Sequence, residues 1–271
     1  FVQMNEKFSH DMHIFTEKVG VYLPEDTHKI IKHRYQIATK LSKGKNTLEV
    51  GVGQGFGIQS IAKSSSQYTG IEYSSENVSY INQTYPDYRI IHGDAHTMPF
   101  SNSEFQIINA LAMIYYLDME RFLKEARRVL SIDGTLFFCT SNKDAPGFVK
   151  PPFTTTYYSI PELNNFLQNN GFEAEFYGSF ARYEQNEGFA KFKVFVKNIT
   201  KAIINIFPNG DNLWASMRNR HLGGLKKLPE NINDIELDEA WNNDFHVLEN
   251  DIRNTRYRVI YCIAKLKKKH K

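Results

Sequence analysis

Cysteine is nearly absent from this chain: Cys139 and Cys262 are the only two in 271 residues. Two thiols cannot build a disulfide framework or a cysteine-rich metal centre. Both lie in apolar, strand-like runs, so buried reduced thiols and no metal are expected. No apolar run approaches the ~20 residues that a membrane span needs. No charged-then-apolar leader opens the chain either, which leads to a cytoplasmic expectation without a transmembrane segment. A charge excess is also missing: 33 basic against 30 acidic residues give a net charge of +3. That is no broad positive field, so no nucleic-acid partner is expected. Internal repeats and low-complexity tracts do not occur. The 41% hydrophobic and 14% aromatic shares are ordinary for a packed protein and exclude disorder as the general state.

Against these absences stands one dense feature, Leu48-Glu49-Val50-Gly51-Val52-Gly53-Gln54-Gly55-Phe56-Gly57. An apolar strand runs into a glycine-rich turn, where the missing side chains let the backbone turn sharply and approach a ligand. Glu72 then ends the next apolar run, 21 residues after Gly51. That is close to the ~20 at which a carboxylate meets a ribose diol in nucleotide-binding βαβ units. The dinucleotide fingerprint G-x-G-x-x-G is not satisfied, because its last glycine falls on Phe56 or Ile58. Glu49 also argues against a pyrophosphate, since like charges in a shared site repel. A sulfonium cofactor with an amino-acid tail tolerates that carboxylate.

The pattern Glu49-x-Gly51-x-Gly53-x-Gly55 resembles motif I of the class I S-adenosylmethionine (SAM) dependent methyltransferases. The resemblance continues through His92-Gly93-Asp94-Ala95 and Met98-Pro99-Phe100, then a fourth strand from Phe105 to Ala110. A helix from Phe122 to Leu130, a turn at Ser131-Ile132-Asp133-Gly134 and a fifth strand from Thr135 to Thr140 complete the series. Gln106 stands where the family usually has Asp, and the turn at Ser131 retains one of the family's glycines. The resemblance implies a Rossmann-like, doubly wound α/β fold, with a seven-stranded, mostly parallel sheet and an antiparallel last strand. It implies SAM as cofactor and S-adenosylhomocysteine as product. The cofactor residues it implies are Glu49, Gly51, Gly53, Gly55, Glu72, Tyr73, Asp94, Ala95 and Asn109.

Four regions are expected: an N-terminal helical lid (1–43), the cofactor-binding core (44–180), a cap insertion (181–256), and a last core strand with a basic tail (257–271). Pro24-Glu25-Asp26-Thr27 starts a helix whose apolar residues recur at helical spacing to Leu41. Ser159-Ile160-Pro161-Glu162 has capping-box form. Strand six is expected from Ala174 to Phe180 and strand seven from Tyr257 to Ala264. The intervening stretch is far longer than an ordinary connection, so it should carry its own structure. Phe192, Val196, Ile199, Ile203 and Phe207 predict an amphipathic helix with lysines on its other face. Packing of that helix on the core is favoured over contact with a membrane surface and over a phosphate-binding face.

Methyl transfer needs alignment and exclusion of water more than it needs a covalent contribution from the protein. The fourth strand ends Asn109-Ala110-Leu111-Ala112 and lacks the D/N-P-P-Y motif of base and glutamine methylation. A small-molecule acceptor, methylated on oxygen, nitrogen or carbon, is therefore expected. RNA or protein methylation, or SAM binding without turnover, are the alternatives. Tyr115 and Tyr116 are candidates to line the acceptor pocket, with core packing an equal account, and His10, His13 and His221 are candidate general bases, for any one of which a solvated surface histidine is the favoured account. Tyr183, Phe189, Trp214, Arg218 and His221 of the insertion are expected to line the acceptor pocket.

Overall fold

A computed structural model describes residues 17, 19–151, 154–181, 225–235 and 245–267. In chain order the elements are β1 (Tyr22–Pro24), α1 (Glu25–Leu41), β2 (Asn46–Val50), α2 (Ile58–Ser64), β3 (Gln67–Glu72), α3 (Ser75–Thr84) and β4 (Arg89–His92). Then come β5 (Phe105–Leu111), α4 (Met119–Val129), β6 (Leu130–Ser141), α5 (Ile160–Asn169), β7 (Phe172–Ala181), β8 (Leu225–Lys227), β9 (His246–Leu248) and β10 (Tyr257–Leu266). The main sheet has the order β4-β3-β2-β5-β6-β10-β7-β9. Its first five strands are parallel, and β10 runs antiparallel between β6 and β7. The strand order reverses at β2 and β5, the switch point at which open α/β sheets bind ligands beyond their carboxyl ends.

Helices on both faces bury the parallel strands, so β2 and β5 are buried along almost their whole length, polar residues included. α4 shows how one helix is specified. Asp118 accepts the Arg121 N–H at 3.1 Å as the N-cap, and Arg127 and Arg128 occupy the last turn. Met119, Phe122, Leu123, Ala126 and Val129 form its single buried stripe. α5 begins where its capping box predicts, with the Glu162 carboxylate accepting the Ser159 N–H at 2.6 Å.

Two expectations are corrected. The expected turn at Ser131–Gly134 is part of β6, which follows α4 without a loop. Phe105 pairs with Leu130, but Ile107 already pairs with Thr135, so residues 131–134 bulge outward and leave Ile132 79% exposed. The sheet also carries an eighth strand, β9, paired with β7. Three residues inside a long insertion are too short for a periodicity signal.

α1 lies across the sheet with Ile31, Tyr35 and Ala38 buried against Phe137, Cys139 and Tyr261. Leu228, Ile232 and Ile235 close over the same cluster, and β8 pairs with β1. Gly57 is the tightest point, because a Cβ there would sit 2.0 Å from two ring atoms of Tyr35. Gly57→Ala should therefore destabilise the protein by about 1–3 kcal/mol through overpacking. An unchanged urea midpoint would show that the Tyr35 ring can move aside freely.

Candidate cofactor site

β2 ends at Val50, and the chain turns over its carboxyl edge through Gly51, Gly53 and Gly55 at φ values of 72°, 62° and 85°. Gly51 donates to the Ile71 carbonyl at 2.8 Å, which holds the turn against β3. A Cβ on Gly51 would press on Met113, and one on Gly55 would press on Ile58 and Tyr85. At Gly53 nothing lies within 4 Å of that position. The turn is packed from below and open above its middle glycine.

Glu72 ends β3 beside this opening and is buried. Its two carboxylate oxygens accept the Gly53 N–H at 2.9 Å and the Ser74 N–H at 3.0 Å. Ser74 is the N-cap of α3, so one side chain joins the glycine turn to the next helix start. A carboxylate oxygen can accept two hydrogen bonds, and each of these accepts one from the backbone. The Tyr73 ring next to it is 57% exposed, unusual for so large an apolar group. Asp94 follows β4; its Oδ1 accepts the His96 N–H at 2.8 Å and lies 2.7 Å from His96 Nδ1. His96 Nε2 in turn accepts the Asp118 N–H at 3.0 Å, which makes Nδ1 the protonated nitrogen. Asp94 is thereby coupled to the start of α4. Ala95 is buried behind it.

Glu49 is closed off from solvent. It is 1% exposed, and its carboxyl accepts the Tyr68 hydroxyl at 2.6 Å and also bonds Tyr35 of α1. Burial pushes its pKa up to about 7, although Tyr68, Arg34 and Tyr35 favour the ionised form. Asn109, its neighbour across β2 and β5, is also fully buried. The Asn109 amide donates to Ser42 Oγ at 3.0 Å, so the side chain meets the end of α1. Glycine turn, Glu72 and Tyr73 thus come together at one sheet edge, while Glu49 and Asn109 lie in the layer beneath α1.

Tyr115 and Tyr116 sit in a short 3-10 turn (114–116) after β5, both half-buried. The Tyr115 ring stacks on Tyr157 at 4.7 Å between centroids and meets Tyr116 at the same separation. Burial pushes both phenols above their ordinary pKa, so at neutral pH they stay protonated. His10, His13, His221, Tyr183, Phe189, Trp214, Arg218 and the 192–207 segment lie outside the described residues. Among the described residues no cluster of three or more His, Cys, Asp or Glu could hold a metal ion, and no helix is long and apolar enough to cross a membrane. Sequence reasoning missed His96 and the α1 residues Arg34 and Tyr35. The signal for the latter was a run of polar and aromatic residues on a helix flank next to its apolar stripe.

A family model described as a methyltransferase domain matches residues 48–138. A "probable S-adenosylmethionine-dependent methyltransferase" of Mycolicibacterium smegmatis is 29% identical over 160 residues, 56% of this chain and 62% of that protein. One of Mycobacterium tuberculosis is 28% identical over 143 residues, 51% of this chain and 52% of its own length. The match thus spans between half and two thirds of these relatives. A "SAM-dependent methyltransferase, possible histamine N-methyltransferase" of Thermotoga maritima shares the fold at a TM-score of 0.52 and 15% identity, covering 99% of this chain and 96% of its own. Residues 48–138, with the glycine turn and Glu72, thus match a methyltransferase domain, and the chain is similar to SAM-dependent methyltransferases in sequence and in fold.

Proposed function

We propose that this protein is a SAM-dependent methyltransferase that acts on an oxygen, nitrogen or carbon atom of a small-molecule acceptor. The observation that carries the reading is Glu72. It presents a buried carboxylate, already oriented by two backbone N–H groups, at the edge of an opening above Gly53. Two ribose hydroxyls can each donate to one of its oxygens, and the exposed Tyr73 ring offers a face for an adenine. SAM supplies the activated methyl group and its own leaving group. What remains for the chain is to bind, to orient and to keep water out.

Tyr115 and Tyr116 fit a positioning role, as neutral donors that hold the acceptor. Residues 1–43 and 181–256 together form the cover in this reading, supported by the β1–β8 pairing that ties the two regions. A small acceptor fits the near-neutral charge balance better than RNA does. The reading places the enzyme in the cytoplasm, where Cys139 and Cys262 stay reduced.

Calorimetry should show binding of SAM and S-adenosylhomocysteine and no binding of NAD. Incubation with panels of small carboxylic acids, amines and phenols should then release S-adenosylhomocysteine with at least one class. NAD binding without any response to SAM would overturn the assignment. SAM binding with no turnover on any small molecule, but turnover on RNA or protein, would overturn the acceptor class.

A further inference from the structure

Arg34 of α1 is only 5% exposed, and a guanidinium so deeply buried needs a compensating anion. Its partner is Glu17, from the segment before β1. The two terminal nitrogens of Arg34 face the two carboxylate oxygens of Glu17, with Nη1 to Oε1 at 3.2 Å and Nη2 to Oε2 closer. Arg34 Nε is buried and has no hydrogen-bond partner among the described residues. A buried donor left unmade is costly, so among the described residues the pair is incompletely satisfied.

The position of this pair bears on function. Arg34 is close enough to influence Glu49 and Cys139, and Glu17 close enough to influence the phenols of Tyr115 and Tyr116. Cys139 is level with Leu111, the last residue of β5, and Ala112 donates to the Cys139 carbonyl at 3.1 Å. The ion pair therefore lies at the carboxyl end of the central strands, on the side where ligands enter such sheets. Its two halves differ. Arg34 is anchored in α1 with 6% of its side chain exposed, whereas the Glu17 side chain is 30% exposed. Glu17 is the exchangeable member.

Only an anion can replace Glu17, because a neutral group would leave the guanidinium uncompensated. A carboxylate would keep the charge balance, and its planar oxygens match the guanidinium fork. Such a ligand could also reach the unsatisfied Nε.

We propose that Arg34 is a carboxylate-binding site, filled by Glu17 in the free protein and taken over by the carboxylate of a bound small molecule. This inference rests on the methyltransferase reading for its two natural sources of carboxylate: the amino-acid end of the cofactor and the acceptor itself. Glu17 then acts as an internal competitor whose release accompanies binding.

The test titrates wild type and Glu17→Gln with two matched pairs of probes. S-adenosylhomocysteine is compared with 5′-methylthioadenosine, which lacks the amino-acid end. Hexanoate is compared with hexanamide, on free and on S-adenosylhomocysteine-loaded protein. Glu17→Gln keeps the side-chain shape and removes the competing charge. It should tighten binding of a carboxylate probe about fivefold or more and leave its uncharged counterpart unchanged. A gain confined to S-adenosylhomocysteine identifies the cofactor's carboxylate as the occupant; a gain for hexanoate on loaded protein identifies the acceptor's. Adding Arg34→Lys, which keeps the charge but not the fork, should cancel the gain. Glu17→Ala repeats the comparison should the glutamine itself bond Arg34. Equal affinities in wild type and variants for both carboxylates, or equal gains for the uncharged probes, would overturn the proposal. If wild type fails to bind S-adenosylhomocysteine, the methyltransferase reading falls, while hexanoate against hexanamide on free protein still decides the role of Arg34.

Discussion

Glu72→Ala should lower the affinity for SAM by roughly tenfold or more and cost stability as well. The affinity loss follows from the hydrogen bonds a ribose diol would make to an ionised carboxylate, each worth about 1.5–3 kcal/mol. The stability loss comes from what the same oxygens do in the free protein. They hold the Gly53 N–H and the Ser74 N–H, so the variant loosens the glycine turn and the start of α3 together. About 2 kcal/mol is the expected scale, since both N–H groups then turn to water in part. Glu72→Gln keeps one accepting oxygen and should fall between wild type and alanine on both counts. Calorimetry on protein shown to be folded by circular dichroism separates the two effects. A folded alanine variant with an unchanged SAM dissociation constant would remove Glu72 from the cofactor site.

The second large effect is a pH dependence of stability carried by Glu49. An unfolded glutamate titrates near 4.5, but burial beneath α1 moves the folded carboxyl up to about 7. Between those values the folded protein binds more protons than the unfolded chain, so stability falls as pH rises. The loss is complete above about pH 7 and amounts to about 3 kcal/mol on the usual linkage relation. Glu49→Gln, neutral at every pH, should flatten this slope. Urea denaturation at pH 5 and pH 8 checks it: wild type should lose more stability than the variant across that interval. Parallel losses would mean that Glu49 is already ionised in the folded protein at pH 5. The Tyr68 and Tyr35 hydroxyls, both aimed at this carboxyl, would then hold its charge against the burial.

Much of the fold was legible because its signals are local. The motif series from Leu48 to Thr140 implied the parallel sheet through its family resemblance, and strand seven, expected from Tyr257 to Ala264, runs on only to Leu266. α1 starts one residue after Pro24, where a fixed φ and two following acidic residues favour a first turn. The glycine turn and the 21-residue step to Glu72 were readable for the same reason, since both depend on chain geometry over one βαβ unit. The bulge at 131–134 was not. It reflects the register of β5 against β6, a relation between segments that residue types there do not encode.

The amino-acid sequence by itself determined the glycine turn at one sheet edge and the carboxylate that stands beside it. Periodicity and glycine spacing act over a few residues and need no knowledge of distant neighbours. The tertiary structure alone decided which way the polar residues of α1 and β2 face. Glu49 belongs to the glycine motif in sequence, yet it is buried against Tyr35 and Tyr68 in the layer below. Arg34 and Glu17 are 17 positions apart and lie on different elements, and only the docking of α1 across the sheet brings them together beside Cys139. Such pairings follow from which helix face turns inward, and that is settled by the packing of the whole core.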